Sequence, residues 1–414
     1  MNEFWGGLFV AALMVGTLVQ LWLAKRQVEH VRKHRDEIPD MFAETINRES
    51  HQKAADYSIA KARLDMVEIA MSTLVVLALT MGGVINWLIS LWAELFDQLS
   101  LAHGVALCGS VAVLLALLDL PVSIYRTFVL EDRFGFNRVT PRLFVIDLLK
   151  QAAVASIFGI PFLVIVLWLM GRMGGLWWLY VWIVWAAFNL LMLFLFPTFI
   201  APLFNTFAAL KDSELTGRID ALLQRCGFQA RGLYVMDGSK RSSHGNAYFT
   251  GFGPAKRIVF FDTLLARLLP SEVEAVLAHE LGHLKLHHIW KRVTLLLAAS
   301  LALLWGLDLL IDKPWFYEGL GVSSRTPAVA LLLFTLIMPV FTFFLHPLAS
   351  WYSRRHEFEA DAYASAHATA ADLQSALVKL YKDNATTLTP DPLHSAFYDS
   401  HPPASTRIAC LRTS

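Results

Sequence analysis

The segment His279-Glu280-Leu281-Gly282-His283 sets two imidazoles four residues apart, with a carboxylate directly after the first. Four residues is just over one helical turn, so both rings leave the same face and can share one metal ion. Glu280 lies about 100° around the helix from His279, within reach of a metal-bound water without itself ligating. That is the geometry a general base requires, and the chemistry it implies is metal-assisted hydrolysis. With 14 histidines in the chain, a chance match to the pattern has odds on the order of a few percent. Other residues must therefore complete the site.

His287 and His288 follow closely. On one straight helix His287 would sit roughly 12 Å from His279, too far to share its ion, so the pair is expected at an interface or behind the ligands. Leu286 and Ile289 stand where the longer HExxHxxGxxH pattern needs a glycine and a third histidine, which excludes that pattern. The third ligand is expected to be a carboxylate, completing a His₂Glu set that leaves one position open for water. Arg354-Arg355-His356-Glu357-Phe358-Glu359-Ala360-Asp361 reads as a helix. Glu357 and Asp361 share a face of it, so Glu357 can ligate while Asp361 takes an imidazole N–H of His279. Glu359 points roughly 160° away and has Tyr363 four residues on, so Glu357 is the better ligand. The helix bearing His279 and His283 is expected to start at Pro270, with Ser271 as its cap and Glu274 returning the bond.

These residues sit in an unusually apolar chain of 414 residues, with 56% hydrophobic and 17% charged residues and a mean hydropathy of +0.49. Such a composition belongs in lipid. A formal net charge of +1 offers no basic footprint for nucleic acid, and none is expected as a partner. Cys108, Cys226 and Cys410 are widely spaced and read as free thiols rather than a disulfide framework.

About seven stretches are long enough to cross the hydrocarbon core, near 4–24, 67–93, 102–123, 149–171, 175–199, 292–311 and 327–349. The first lacks a basic leader and a clear cleavage site, so it is expected to stay as an anchor. Lys25, Arg26, Arg32, Lys33 and Arg35 follow the first span, and Arg126, Arg133, Arg138 and Arg142 the third. Basic loops stay on the cytoplasmic side, which puts residues 200–291 and 350–414 there too. The expected organisation is a transmembrane region over 1–199 with loops 25–65 and 124–148, then a first protease segment over 200–291. The sixth and seventh spans over 292–349 and a second protease segment over 350–414 complete it. In the first segment Ser213 to Arg225 reads as a helix, and Gly232 to Met236, Asn246 to Thr250 and Arg257 to Phe261 read as strands. Asn86, Asp119, Asn189 and Asp308 interrupt the spans, and either line a wet chamber or bond neighbouring helices.

The ordered set of motifs resembles the type I CaaX prenyl proteases, the a-factor-converting or farnesylated-protein-converting family of integral-membrane zinc metallopeptidases. The resemblance rests on Glu131-Asp132-Arg133-Phe134-Gly135-Phe136-Asn137, Asn246-Ala247-Tyr248-Phe249, the run Arg257 to Leu265, HELGH, Glu357 to Asp361, His401-Pro402-Pro403 and Arg407. It covers nearly the whole chain. The family implies a mainly α polytopic membrane protein whose roughly seven helices form a chamber, with a split cytoplasmic zincin-type (gluzincin) domain containing a small β-sheet. It implies one Zn²⁺ per chain held by His279, His283 and Glu357, with Glu280 as base and Asp361 behind His279. His401 and Arg407 would steady the oxyanion, and Asn246, Ala247 and Tyr248 would pair with the substrate backbone. The partners it implies are the lipid bilayer and a peptide or protein cut near its C-terminus, of prenylated CaaX type or similar. The C-terminal Leu411-Arg412-Thr413-Ser414 has no lysine-based retrieval signal, and the loop between the last two spans is short, so both depart from eukaryotic members.

A general quality-control protease of membrane proteins would use the same chemistry, though the span count favours the CaaX-like reading. A silent scaffold or chaperone would not need Glu280. A channel or transporter would not need a His₂Glu set in the watery segments.

Overall fold

Backbone groups in lipid must be satisfied within their own segment, so the apolar runs fold as long helices. The computed structural model describes residues 1–229, 232–250 and 257–413. The first half contains α1 (Asn2–Lys33), α2 (Arg48–Leu79), α3 (Val84–Ala93), α4 (Leu101–Tyr125), α5 (Pro141–Arg172) and α6 (Trp177–Leu195). Among the described residues, six helical stretches are long and apolar enough to cross a membrane, and the bent pair α2 and α3 makes a seventh if counted as one span. The pair covers the expected span at 67–93 but turns by 49°. The turn falls at Gly83, whose φ of 78° is open to a residue without Cβ.

A smaller part follows: α7 (Ala201–Phe204), β1 (Phe207–Ala209), α8 (Ser213–Cys226), β2 (Leu233–Met236), β3 (Ala247–Thr250), β4 (Arg257–Phe261), α9 (Asp262–Leu265) and α10 (Pro270–Lys285). The chain then re-enters the helical body through α11 (His288–Ile311), α12 (Pro314–Glu318) and α13 (Pro327–Thr342). It leaves through α14 (His346–His367), α15 (Ala370–Asp383), α16 (Pro392–Tyr398) and α17 (Ala404–Thr413). The sheet has the order β1-β2-β4-β3, with β2 and β4 parallel and both outer pairs antiparallel. β1 is an addition to the three expected strands, and three residues are too few to show an alternating pattern. Among the described residues strand β3 is an edge, so its outward N–H and C=O groups have no partner strand within the sheet.

Two large cores stand out among the described residues. Phe9, Leu107, Leu307, Phe316, Tyr317 and Leu333 are packed among the spans. Leu215, Phe260, Leu277, Leu281, Ala364 and Leu377 pack together outside them, drawing on both polar segments of the chain. The two parts are tied by Arg241, which makes paired bonds of 2.8 and 2.9 Å to buried Asp147 of α5 and a third of 2.9 Å to Asn205. A second tie runs from the loop after α4. Glu131 accepts the Tyr57 hydroxyl at 2.6 Å and faces His244 at 3.8 Å, while Phe136 stacks on the His244 ring. These contacts brace the residues that lead into β3.

Of the polar residues within the spans, Asn86 donates to the Gly321 carbonyl at 2.7 Å and Asn189 to the Trp185 carbonyl of its own helix at 2.8 Å. Asn86 thus ties α3 to the turn after α12, whereas Asn189 bonds back within its own helix and reaches no neighbour through that bond. A cavity of about 850 Å³ does exist, but its polar wall includes Gln20, Lys61, Asp65, Glu68, His401 and Arg407 and none of Asn86, Asp119, Asn189 and Asp308.

Replacing Arg241 by Ala leaves the Asp147 carboxylate buried without its cation. Loss of one partner of such a pair costs roughly 3 kcal/mol, so thermal unfolding in detergent is expected at a clearly lower temperature than for the parent.

Candidate metal centre

Helix α10 carries the site, and its start is pinned from two sides. Glu272 accepts the Leu269 backbone N–H at 2.7 Å and is held by Ser375 and Lys379 of α15 at 2.6 and 2.7 Å. The expected cap of Ser271 with Glu274 is not used. Ser271 instead bonds Asp372 at 2.9 Å, and Glu274 pairs with Arg218 and Arg225. A carboxylate at the third helical position reaches the exposed amide just as well, and α15 rewards that choice with a lysine.

One turn apart on α10, the Nε2 atoms of His279 and His283 approach to 3.2 Å. Glu357 of α14 meets them with its two oxygens at 3.5 Å from His279 Nε2 and 3.4 Å from His283 Nε2. The helices come this close because Gly282 has no side chain: a Cβ there would lie 3.0 Å from the Ala360 Cα and 3.2 Å from its carbonyl oxygen. Ligands at about 2.0–2.1 Å around a tetrahedral ion stand roughly 3.3–3.4 Å apart. The spacing found therefore fits such an ion, and the three groups form one of two clusters able to hold a metal among the described residues.

Electrostatics agree with a cation at this point. Burial opposes protonation of His279, but the bonded carboxylates of Asp361 and Glu357 prevail and raise it to about 9. Burial and then the neighbouring His279 push His283 down to about 3. A proton on the His283 ring is thus disfavoured, as a metal ligand requires, and a divalent ion would supply the positive charge that the carboxylates call for. Burial, opposed by the charge of His279 and aided by that of Glu357, raises the Glu280 carboxyl above its ordinary value.

Behind His279, Asp361 accepts the Nδ1–H at 2.8 Å. Arg407 grips Asp361 with Nε at 2.8 Å and Nη2 at 2.5 Å, while its Nη1 stays 3.9 Å from Glu357. Its strongest bonds therefore point to Asp361, not to the open face where a carbonyl oxygen would sit. His401 is 64% exposed at its side chain and donates from Nδ1 to Glu357 at 2.7 Å. It lies at the cavity rim with Tyr381, Pro402 and Pro403. Asn246 accepts the Ala247 N–H at 2.8 Å and its carbonyl takes the Phe261 N–H at 3.0 Å. Ala247 is buried, and Tyr248 turns its ring edge to Phe261.

One expectation about the histidines is overturned. The helix does not run straight from His279 through His287: α10 ends at Lys285 and His287 takes a left-handed φ of 57°. That turn brings His288 back, so that its Nδ1 lies 2.9 Å from His283 Nδ1. On its other side His288 Nε2 lies 3.0 Å from Glu359. His288, His356 and Glu359 form the second cluster.

With the geometry in hand, comparison with known proteins is specific. Residues 27–206 match the model of the CAAX prenyl protease N-terminal region, described as five membrane helices, and residues 209–414 match peptidase family M48. A CAAX prenyl protease 1 homolog of Arabidopsis thaliana is 31% identical over 97% of this chain and 96% of its own. A CAAX prenyl protease 1 homolog of Homo sapiens is 30% identical over 98% and 95%. The crystal structure of S. mikatae Ste24p superposes with a TM-score of 0.90 at 30% identity, covering 98% of both chains.

The glycine contact yields a direct test. Gly282→Ala is expected to keep α10 helical yet push α14 outward, so metal content after dialysis should fall well below that of the parent. Full retention would show that the close approach is dispensable.

Proposed function

This chain belongs to peptidase family M48, among its CAAX prenyl proteases, and we propose that its metal centre is a zinc site that cuts prenylated, CaaX-type membrane-associated polypeptides near their C-terminus. The observation that carries this reading is the convergence of His279, His283 and Glu357 at 3.2–3.5 Å beside a cavity lined by α1, α2 and the C-terminal segment. Two imidazoles and one carboxylate are a donor set that zinc favours in hydrolases, with a position left for water.

His279, His283 and Glu357 would hold the ion, which when bound supplies a Lewis acid for the scissile carbonyl and acidifies a water. Glu280 takes the proton of the attacking water and passes it to the leaving amine, a task helped by a pKa above the ordinary carboxylate value. His401 sits at the open face and is the better placed donor for the oxygen on which charge develops. Arg407 keeps Asp361 ionised, and Asp361 keeps the His279 ring turned toward the ion. The free edge of β3, with Asn246 just before it and Ala247 and Tyr248 within it, pairs with an extended substrate backbone. A substrate with a lipid tail could keep the tail in the apolar part of the cavity while its peptide reaches the site. The basic loops after α1 and α4 favour a cytoplasmic position for this face.

Purified protein incubated with prenylated and unprenylated peptides of one sequence, with cleavage sites read by mass spectrometry, tests both halves. Cutting is expected to stop with a zinc chelator and to favour the prenylated peptide. Glu280→Gln should lower kcat by ~10²–10⁴-fold while leaving the metal bound. Equal cutting of both peptides would refute prenyl recognition, and full activity of the Glu280→Gln protein would refute the assignment of the base.

A further inference from the structure

The structure assigns His288 and Glu359 as positioning residues that hold His283 to the metal through a two-imidazole relay. This rests on the reading of His283 as a ligand. His288 opens α11 and is 1% exposed. Its ring lies between His283 Nδ1, at 2.9 Å from its own Nδ1, and Glu359 Oε2, at 3.0 Å from its Nε2. Glu359 is fixed in turn by Arg355, whose Nε donates to the other oxygen at 3.0 Å.

Proton placement follows from valence. A neutral imidazole that offers Nε2 to a metal carries its hydrogen on Nδ1. His283 is therefore the donor and His288 Nδ1 the acceptor. A neutral His288 that accepts on Nδ1 bears its hydrogen on Nε2, where Glu359 stands to receive it. A single tautomer of each ring satisfies every contact, and it runs from the carboxylate to the metal. His279 is served the same way in one step, by Asp361 at 2.8 Å. Both supporting carboxylates, like the ligand Glu357, come from α14.

The rival use of this cluster is a second metal site, since one ligand atom each from His288, His356 and Glu359 can be drawn within 4.8 Å. Ring orientation argues against it. The His288 and His356 rings are stacked at 4.0 Å with only 9° between their planes, so their in-plane lone pairs run side by side instead of converging. The nitrogen of His288 nearest Glu359 is also the one the relay protonates. His356 acts as a wall: Tyr352 packs edge-on against it at 4.4 Å, and together they leave the His288 ring little freedom to rotate.

Partners behind metal-bound imidazoles are typically worth ~10–100-fold in metal affinity. The test is zinc affinity of the full chain in detergent, measured by competition with a chromophoric chelator, beside the unfolding temperature of the metal-free protein. His288→Phe, which keeps the stack on His356 but cannot accept, is expected to weaken zinc by that factor while the metal-free protein unfolds as the parent does. His288→Gln, whose amide oxygen can accept from His283, should recover most of the loss. Glu359→Ala should weaken zinc and Glu359→Gln much less, which also covers the case of a His288→Phe protein that fails to fold. Unchanged affinity in both His288→Phe and Glu359→Ala would overturn the relay, as would a second zinc per chain that disappears in His356→Phe. A parent protein that binds no zinc, or a His283→Ala protein that binds it as well as the parent, would instead refute the underlying ligand assignment.

Discussion

Lone pairs from two imidazoles and a carboxylate converge here within a space that water scarcely enters. Glu357 is 2% exposed and His279 7%, and such groups pointed at one another cost free energy unless a positive charge lies between them. Everything around the point serves to keep them together. Gly282 lets α14 approach α10, Glu272 anchors the start of α10 to α15, and the shared core of Leu277, Leu281 and Ala364 holds the helix pair from below. A site that strains against its own electrostatics in this way is built for a cation.

Much of the site was legible because its logic is periodic. Residues four apart on a helix must share a face, which was enough to pair His279 with His283 and Glu357 with Asp361. What periodicity does not carry is where a helix stops. Nothing in Leu286-His287-His288 resembles a turn, and although histidine is enriched among the non-glycine residues that take a left-handed conformation, a single one does not mark a helix end. The pair was expected at an interface or behind the ligands, but the contact of His288 with His283 could not be read from sequence, and Glu359, judged by its angle from Glu357, pointed away from the chemistry. The capping residue was missed for a related reason: Glu272 is selected by Lys379, more than a hundred residues later, not by local pattern.

The spans were legible from length and apolarity alone, since lipid leaves a chain few alternatives. The bend between α2 and α3 was not, because Gly82-Gly83 inside an apolar run is equally compatible with a straight helix. Polar residues inside the spans gave an ambiguous signal. Asn86 ties α3 to the turn after α12 and Asn189 bonds within its own helix, whereas the cavity takes Lys61, Asp65 and Glu68 from the long polar-to-apolar helix α2. This cavity reaches His401 and Arg407, so α1 and α2 and the C-terminal segment beside the metal centre line one space.

The central claim is that His279, His283 and Glu357 together hold one zinc ion, and the most direct measurement is metal content. Purified parent protein and its Glu357→Ala variant would be dialysed against zinc-free buffer and analysed by inductively coupled plasma mass spectrometry. The account predicts one zinc per chain in the parent and none in the variant. Stoichiometric zinc in the Glu357→Ala protein, or none in the parent after zinc loading, would contradict it.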